Sequence, residues 1–453
     1  MLRSAKRSNR IKKNSGTLIH YLNIQSALPV LFVSGMIVLL FISDIVSMSK
    51  SGFTSASYPL ASSLVNYSAG FIRRGLFGEI IHCMNGIFQP IISIALLSAM
   101  SYLFILYLLI SRMIRMNTGL PCMLAIILSP SIILMHRGSE FFRTDGILIA
   151  LNLAAAAMLL NFLVKGNKLS RGGGASFVGM LVIDSMILGI LALSALLHEL
   201  SAVLMPPVIL IFFIYCRRLH RIMHFILVLD LLVILYTVMM VNFKFSSPNI
   251  VLDSWSGIYS NTEAFRLNRG LLNVVDQKTS VDTMNMSIVM FKQAPLKIIL
   301  HLLIAVAVPF VVLLMSGITI LHSASSRAKR IRCILIALCT CPLALSITAH
   351  DWGRWFSICA INIVAYSLLI AHPTGRKRGN TASNVIRKAE AVAKQFAILA
   401  TATVLLNYSL GIDGYFRRTN KTVPEEIRQM RSNLPDFFTS LKPLLKRDII
   451  IHP

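Results

Sequence analysis

The sequence predicts an all-α, polytopic integral membrane protein with about 11 transmembrane helices and an interfacial helix in its first outer loop. Two observations carry this class. The 453 residues are 55% hydrophobic and only 14% charged, with a mean hydropathy of +0.72, whereas soluble domains carry about 25% charged residues. The apolar residues also gather in runs close to the ~20 residues that a spanning helix needs. No stretch is both polar enough and long enough to form a soluble domain. The net charge of +26 would suggest nucleic acid in a soluble protein. In a membrane protein the same charge flanks spans and meets anionic headgroups. The lipid bilayer, and not nucleic acid, is therefore the expected partner.

The elements follow in order. Residues 1–26 form a basic cytoplasmic N-terminus. The apolar run 27–48 exceeds the roughly 7–15 residues of a signal core and shows no clear small-residue cleavage site, so it reads as a retained signal anchor. Further spans are expected at about 91–110, 120–135, 146–164, 177–197, 200–215, 224–243, 298–320, 333–348, 355–371 and 395–411. The transmembrane domain thus covers 27–411, with outer loops at about 49–90 and 244–297. Residues 412–453 form a periplasmic amphipathic tail. In the first outer loop Leu76, Phe77, Ile80, Ile81, Met84, Ile87 and Phe88 recur at helical spacing, with Glu79, His82 and Asn85 between them, which predicts a helix lying in the interface. The short joints at His198-Glu199 and at 350–354 predict helical hairpins. Seven cysteines are scattered without a C-x-x-C pair, so neither a disulfide framework nor a zinc site is expected.

Orientation follows from the basic residues. With the N-terminus inside, cytoplasmic segments hold 24 of the 44 Lys and Arg. Most of the others sit in the two long outer segments, where charge orients weakly. Glu390 is the one acidic residue in a cytoplasmic segment. Asp184 and Asp230 lie within spans and read as structural, with Arg221 near Asp230.

This orientation brings four polar clusters to one face. In Gly70-Phe71-Ile72-Arg73-Arg74-Gly75, Arg73 and Arg74 precede a helix and suit phosphate, although arginines also snorkel to headgroups. In the run 136–145, Arg137, Glu140, Arg143 and Asp145 suit mutual pairing. Asp145 reads as a helix N-cap, which leaves Arg143 for a ligand. His198 and Glu199 sit between two spans, where partial burial tunes a general base; the plain alternative is a self-satisfied turn. The last cluster is His350-Asp351-Trp352-Gly353-Arg354-Trp355. Asp351 and Arg354, three apart, suit an internal pair, Arg354 suits a diphosphate, and Trp352 and Trp355 suit either interface anchoring or stacking on sugar rings. Asp44, near the outer end of the first span, is a further carboxylate placed to activate a hydroxyl.

These strings, with Asp44 at the start of the first outer loop, resemble the bacterial surface-polysaccharide polymerases and the lipid-carrier-dependent membrane glycosyltransferases of the GT-C type. The resemblance is architectural over most of the chain and reaches motif level only at 70–75 and 351–355. Members often carry an acidic pair in the first loop, and Glu79 matches that second position poorly. The resemblance implies a multi-pass protein of the bacterial inner membrane. It would transfer a sugar or repeat unit from a polyprenyl-diphosphate donor on the periplasmic face. Asp44, His198, Glu199 and Asp351 would be its catalytic residues, and Arg73, Arg74, Arg143, Trp352, Arg354 and Trp355 its substrate contacts. No cofactor is implied by the residues, and a divalent metal has no ligand set in the sequence. Two other classes stand beside this one: a secondary transporter or flippase for a lipid-linked or anionic substrate, and a non-catalytic scaffold. In the enzyme reading, Arg354→Ala and Glu199→Gln should abolish product without loss of protein.

Overall fold

The computed structural model describes residues 35, 63–69, 75–84, 90–115, 123, 126–127, 143–169, 177–198, 200–218, 221–241, 248–255, 288–289, 292, 326–347 and 352–370. Among these the secondary structure is helical, without a strand. The elements are a 3-10 turn (Tyr67–Ala69), α1 (Gly75–Met84), α2 (Pro90–Arg115), α3 (Asp145–Leu169), α4 (Phe177–Leu197), α5 (Ser201–Leu204), α6 (Pro206–Arg218), α7 (Ile222–Val241), α8 (Pro248–Ser254), α9 (Ser326–Leu338), a 3-10 segment (Cys341–Ile347) and α10 (Trp352–Ile370). Two stretches, Ile92–Arg115 and Asp145–Leu163, are long and apolar enough to cross a membrane. Shorter apolar stretches lie within α1, α4, α7 and α10. The expected spans 27–48, 120–135, 298–320 and 395–411, and the tail, fall largely or wholly outside the described residues.

Prolines explain where helices depart from the expected spans. The run from 200 to 215 divides into α5 and α6, because Pro206 and Pro207 have no N–H to return to the preceding turn. The run from 333 to 348 divides likewise: α9 starts at Ser326 and ends at Leu338, and the 3-10 segment containing Pro342 follows.

Helix α3 is the hub. It packs against α2, α4, α5, α6 and α10. Its Leu148, Ile149, Leu153 and Leu159 are fully buried, and Ala155 and Ala156 are buried between them. Small residues at such positions let neighbouring helices approach closely. Helix α2 has a second character on its outer side, where Leu96, Met100, Leu103 and Tyr107 stand exposed at helical spacing. On α7, Met223, Ile226, Leu227, Val233 and Ile234 are exposed as well.

Polar contacts define two ends of the bundle. At one, the N-termini of α3 and α10 are joined by Asp145 and Arg354. At the other, Arg218 at the end of α6 donates to the Leu163 carbonyl of α3 at 3.3 Å, and Arg221 before α7 meets Asp184 of α4 at 2.8 Å. The sequence placed Arg221 beside Asp230. Instead the early turns of α4 and α7 lie together, and Asp230 is exposed on α7.

Residues 63–69 with α1 dock on residues 248–255. Trp255, 1% exposed, donates its indole N–H to the Leu64 carbonyl at 3.0 Å. The Asn66 amide donates to Ser254 Oγ at 2.9 Å. His82 of α1 lies edge-on to Trp255, and its Nε2 is 3.2 Å from the Ser254 carbonyl. A Cβ at Gly78 would overlap the Val65 carbonyl, so only glycine allows the loop this close to α1. Helix α1 exists as the periodicity predicts, but its apolar face is turned inward. Phe77 and Ile81 are buried, and α1 packs on α2 and α4. Its Glu79 carboxylate accepts the Tyr67 N–H at 3.1 Å. Burial, reinforced by Glu79, raises the Tyr67 phenol above its ordinary pKa.

Candidate functional site: a polar end of the bundle

Helix α3 begins because the Thr144 carbonyl accepts the Leu148 N–H at 3.0 Å. Thr144 is therefore the cap and Asp145 the first helical residue, which corrects the reading of Asp145 as N-cap. A carboxylate in the first turn complements the helix dipole. Its main partner comes from 209 residues away: Arg354 Nε donates to Oδ2 at 2.5 Å, and Nη2 donates to Oδ1 at 2.6 Å. This is the two-pronged geometry that a planar guanidinium favours. Asp145 is 2% exposed and Arg354 8%. Arg354 thus commits Nε and Nη2 to α3, and the other half of the expected internal pair, Asp351, lies outside the described residues.

Two more groups share this end. Arg143 and His198 both stand within electrostatic reach of the Asp145 carboxylate, and both are partly accessible. The joint after α4 places His198. Its N–H closes the last turn on the Ser194 carbonyl at 3.3 Å, and its carbonyl accepts the Ser201 N–H at 3.1 Å and the Ser201 hydroxyl at 2.8 Å. The Ser201 hydroxyl also bonds the Tyr236 hydroxyl of α7, which ties the joint to a third helix. Tyr236 had no signal in the sequence beyond being a polar atom in an apolar run.

The imidazole itself is constrained. The Leu200 N–H donates to His198 Nδ1 at 3.0 Å. A ring nitrogen that accepts a hydrogen bond carries no proton, so the proton of the neutral ring sits on Nε2. The Nδ1 acceptor of His198 is thus taken by the chain itself.

Trp355 is 6% exposed, and the Arg354 guanidinium lies 4.5 Å from the centre of its ring. One face of the indole is thus covered by a cation from within the bundle, and this residue is a poor platform for a sugar. Its buried Nε1–H meets no acceptor among the described residues. Trp352 is the first residue of α10. Asp44, Arg73, Arg74, Glu199 and Asp351 lie outside the described residues.

The structure therefore gathers Arg143, Asp145, His198 and Arg354 from three sequence clusters into one place. One ion pair there is closed and buried, and Arg143 and His198 stand beside it within electrostatic reach of the carboxylate. Among the described residues no group of three or more His, Cys, Asp or Glu could hold a metal ion. No family model, curated protein or solved structure matches the chain.

Proposed function

We propose that the chain is a polytopic membrane glycosyltransferase or polysaccharide polymerase that uses polyprenyl-diphosphate-linked sugars on the periplasmic face of a bacterial inner membrane. The observation that carries the reading is the convergence of Arg143, His198 and the Asp145–Arg354 pair at one end of the bundle. The membrane part rests on the two long apolar helices and on the apolar side chains exposed along α2 and α7. In water such faces are a liability; in lipid they are the ordinary surface of a span.

In this reading the acceptor hydroxyl attacks the anomeric carbon. The new glycosidic C–O bond forms as the bond to the diphosphate oxygen breaks, and the electron pair leaves on the diphosphate. Fixed donors aimed at that leaving group stabilise the charge that develops. Arg143 and the Nε2–H of His198 fill this role. The Asp145–Arg354 pair positions α3 against α10 and does not touch the donor. The acceptor proton passes to a carboxylate. Glu199, next in the chain to His198, is the first candidate, with Asp44 and Asp351 after it. Arg73 and Arg74 add phosphate contacts, Trp352 a face for a sugar ring, and the groove between helices a place for the polyprenyl chain.

Deleting the gene and resolving surface polysaccharide on a gel tests the proposal. A ladder that collapses to a single repeat unit supports the polymerase, and loss of one sugar from the glycan supports a single-addition transferase. An unchanged ladder with intact glycan composition contradicts both.

One observation favours a secondary transporter or flippase instead. Ion pairs close both ends of the bundle, Asp145–Arg354 at one and Asp184–Arg221 at the other, as two alternating gates would. Reconstituted protein that moves a lipid-linked sugar across vesicles without consuming it would decide for this reading.

A further inference from the structure

The end of the bundle opposite Asp145 and Arg354 carries its own cavity. It measures about 500 Å³ and is lined by Arg217, Arg221, Ile222, Met223 and His224. A tight turn builds it: the Arg221 N–H returns to the Cys216 carbonyl at 2.8 Å. This folds the last turn of α6 against the first turn of α7.

Arg221 is held in place from two sides. Its Nη1 lies 2.8 Å from Asp184 Oδ2, and its Nη2 donates to His224 Nε2 at 2.6 Å. The guanidinium donates in this bond, and the His224 ring nitrogen accepts. Arg217 and Arg218 are exposed on the last turn of α6. Two guanidinium groups, Arg217 and Arg221, thus line the cavity, and one buried carboxylate, Asp184, faces Arg221. The first turn of α7 adds its N-terminal amides, which favour anions.

The apolar side gives the ligand a second feature. Met223, at the cavity wall, is 75% exposed. Ile226 and Leu227 continue from it along the outside of α7, each more than 40% exposed. A cationic cavity thus opens onto an apolar track over the first turns of α7, ahead of the exposed Asp230.

We propose that this cavity binds the phosphate of an anionic lipid, with Arg217 and Arg221 on the headgroup and an acyl chain along Met223, Ile226 and Leu227. The chemistry recognised is a phosphate ester, and the track on α7 selects the lipid-borne form over a soluble one. The cavity volume lies within the ~300–1,000 Å³ of ordinary ligand sites. The inference rests on the membrane reading of the chain and is independent of glycosyl transfer.

Native mass spectrometry of the full chain in neutral detergent tests it with short-chain phosphatidylglycerol, phosphatidylcholine and glycerol phosphate as probes. Phosphatidylglycerol should bind most tightly. Arg217→Gln should weaken it about tenfold, as expected for one lost charge-assisted contact, and Arg217→Lys should retain most of the affinity. Met223→Asn should weaken phosphatidylglycerol and leave glycerol phosphate unchanged. The melting temperature of each variant without lipid, equal to that of the parent, separates lost binding from lost fold. Equal binding of phosphatidylcholine, no effect of Arg217→Gln, or displacement of the lipid by equimolar glycerol phosphate would each overturn the proposal.

Discussion

Removing one partner of the Asp145–Arg354 pair is the sharpest perturbation available. Both side chains are almost wholly enclosed, at 3% and 9% exposure, and two short hydrogen bonds join them. Arg354→Ala leaves the Asp145 carboxylate buried without its main counter-charge, and Asp145→Ala strands the guanidinium. Breaking a buried pair in this way costs about 3–5 kcal/mol, or roughly two to three and a half decades in the folding equilibrium at 1.36 kcal/mol per decade. Replacing both partners by apolar groups of similar size removes the stranded charge, and such replacements are often neutral. The assay is thermal or denaturant unfolding in detergent of Asp145→Leu, Arg354→Met and the double variant. Each single variant should be strongly destabilised, and the double variant should recover most of the loss. Effects of the single variants that simply add in the double variant would refute the reasoning, since residues in contact are expected to couple. It follows that Arg354→Ala loses protein as well as product, so it cannot by itself separate an enzyme from a scaffold.

Other expectations concern the loop docking and the histidine. Gly78→Ala should destabilise by about 1–3 kcal/mol, the usual cost of overpacking, because the new methyl overlaps the Val65 carbonyl; a melting curve like that of the parent would contradict the close approach. Trp255→Phe keeps the ring but loses the donor to Leu64, which leaves a buried carbonyl and costs about 1–3 kcal/mol. Amide exchange near residues 63–69 should then accelerate, and unchanged protection would show that the hydrogen bond does not hold the loop. For His198, nitrogen NMR of labelled protein should report a neutral ring protonated on Nε2 near pH 7, and a proton on Nδ1 would contradict the turn geometry. His198→Asn retains an acceptor for the Leu200 N–H and removes the distal donor. It should melt like the parent yet lose product formation, whereas retained activity would place His198 outside the chemistry.

Local features were the most legible in the sequence. The 3.6-residue period found α1, and the apolar runs found α2, α3, α4, α7 and α10. Arg143, Asp145, His198 and Arg354, from three of the polar clusters, lie together. What the sequence could not resolve was which charge pairs with which. Arg354 had Asp351 three residues away, and Arg221, just before α7, had Asp230 on that helix. Both found partners far off in sequence, Asp145 and Asp184, because packing around α3 decides which helix ends come together. The orientation of α1 escaped for a related reason. An amphipathic helix reads the same whether its apolar face meets lipid or protein. Gly78, whose missing side chain admits the Val65 carbonyl, is the residue that betrays the protein neighbour. The tautomer of His198 depends on a single backbone N–H at Leu200, and no pattern of residue types encodes that contact.

In the proposed function, the end of the bundle bearing Arg143 and His198 receives a lipid-linked diphosphate. The most direct measurement is equilibrium binding of geranylgeranyl diphosphate to the full chain in nanodiscs, with geranylgeraniol as the uncharged control and Arg143→Gln as the variant. The diphosphate should bind and the alcohol should not, and Arg143→Gln should weaken binding about tenfold with an unchanged melting temperature, while Arg217→Gln should leave it unaffected. Equal binding of the alcohol, or full affinity in Arg143→Gln, would contradict the proposed function.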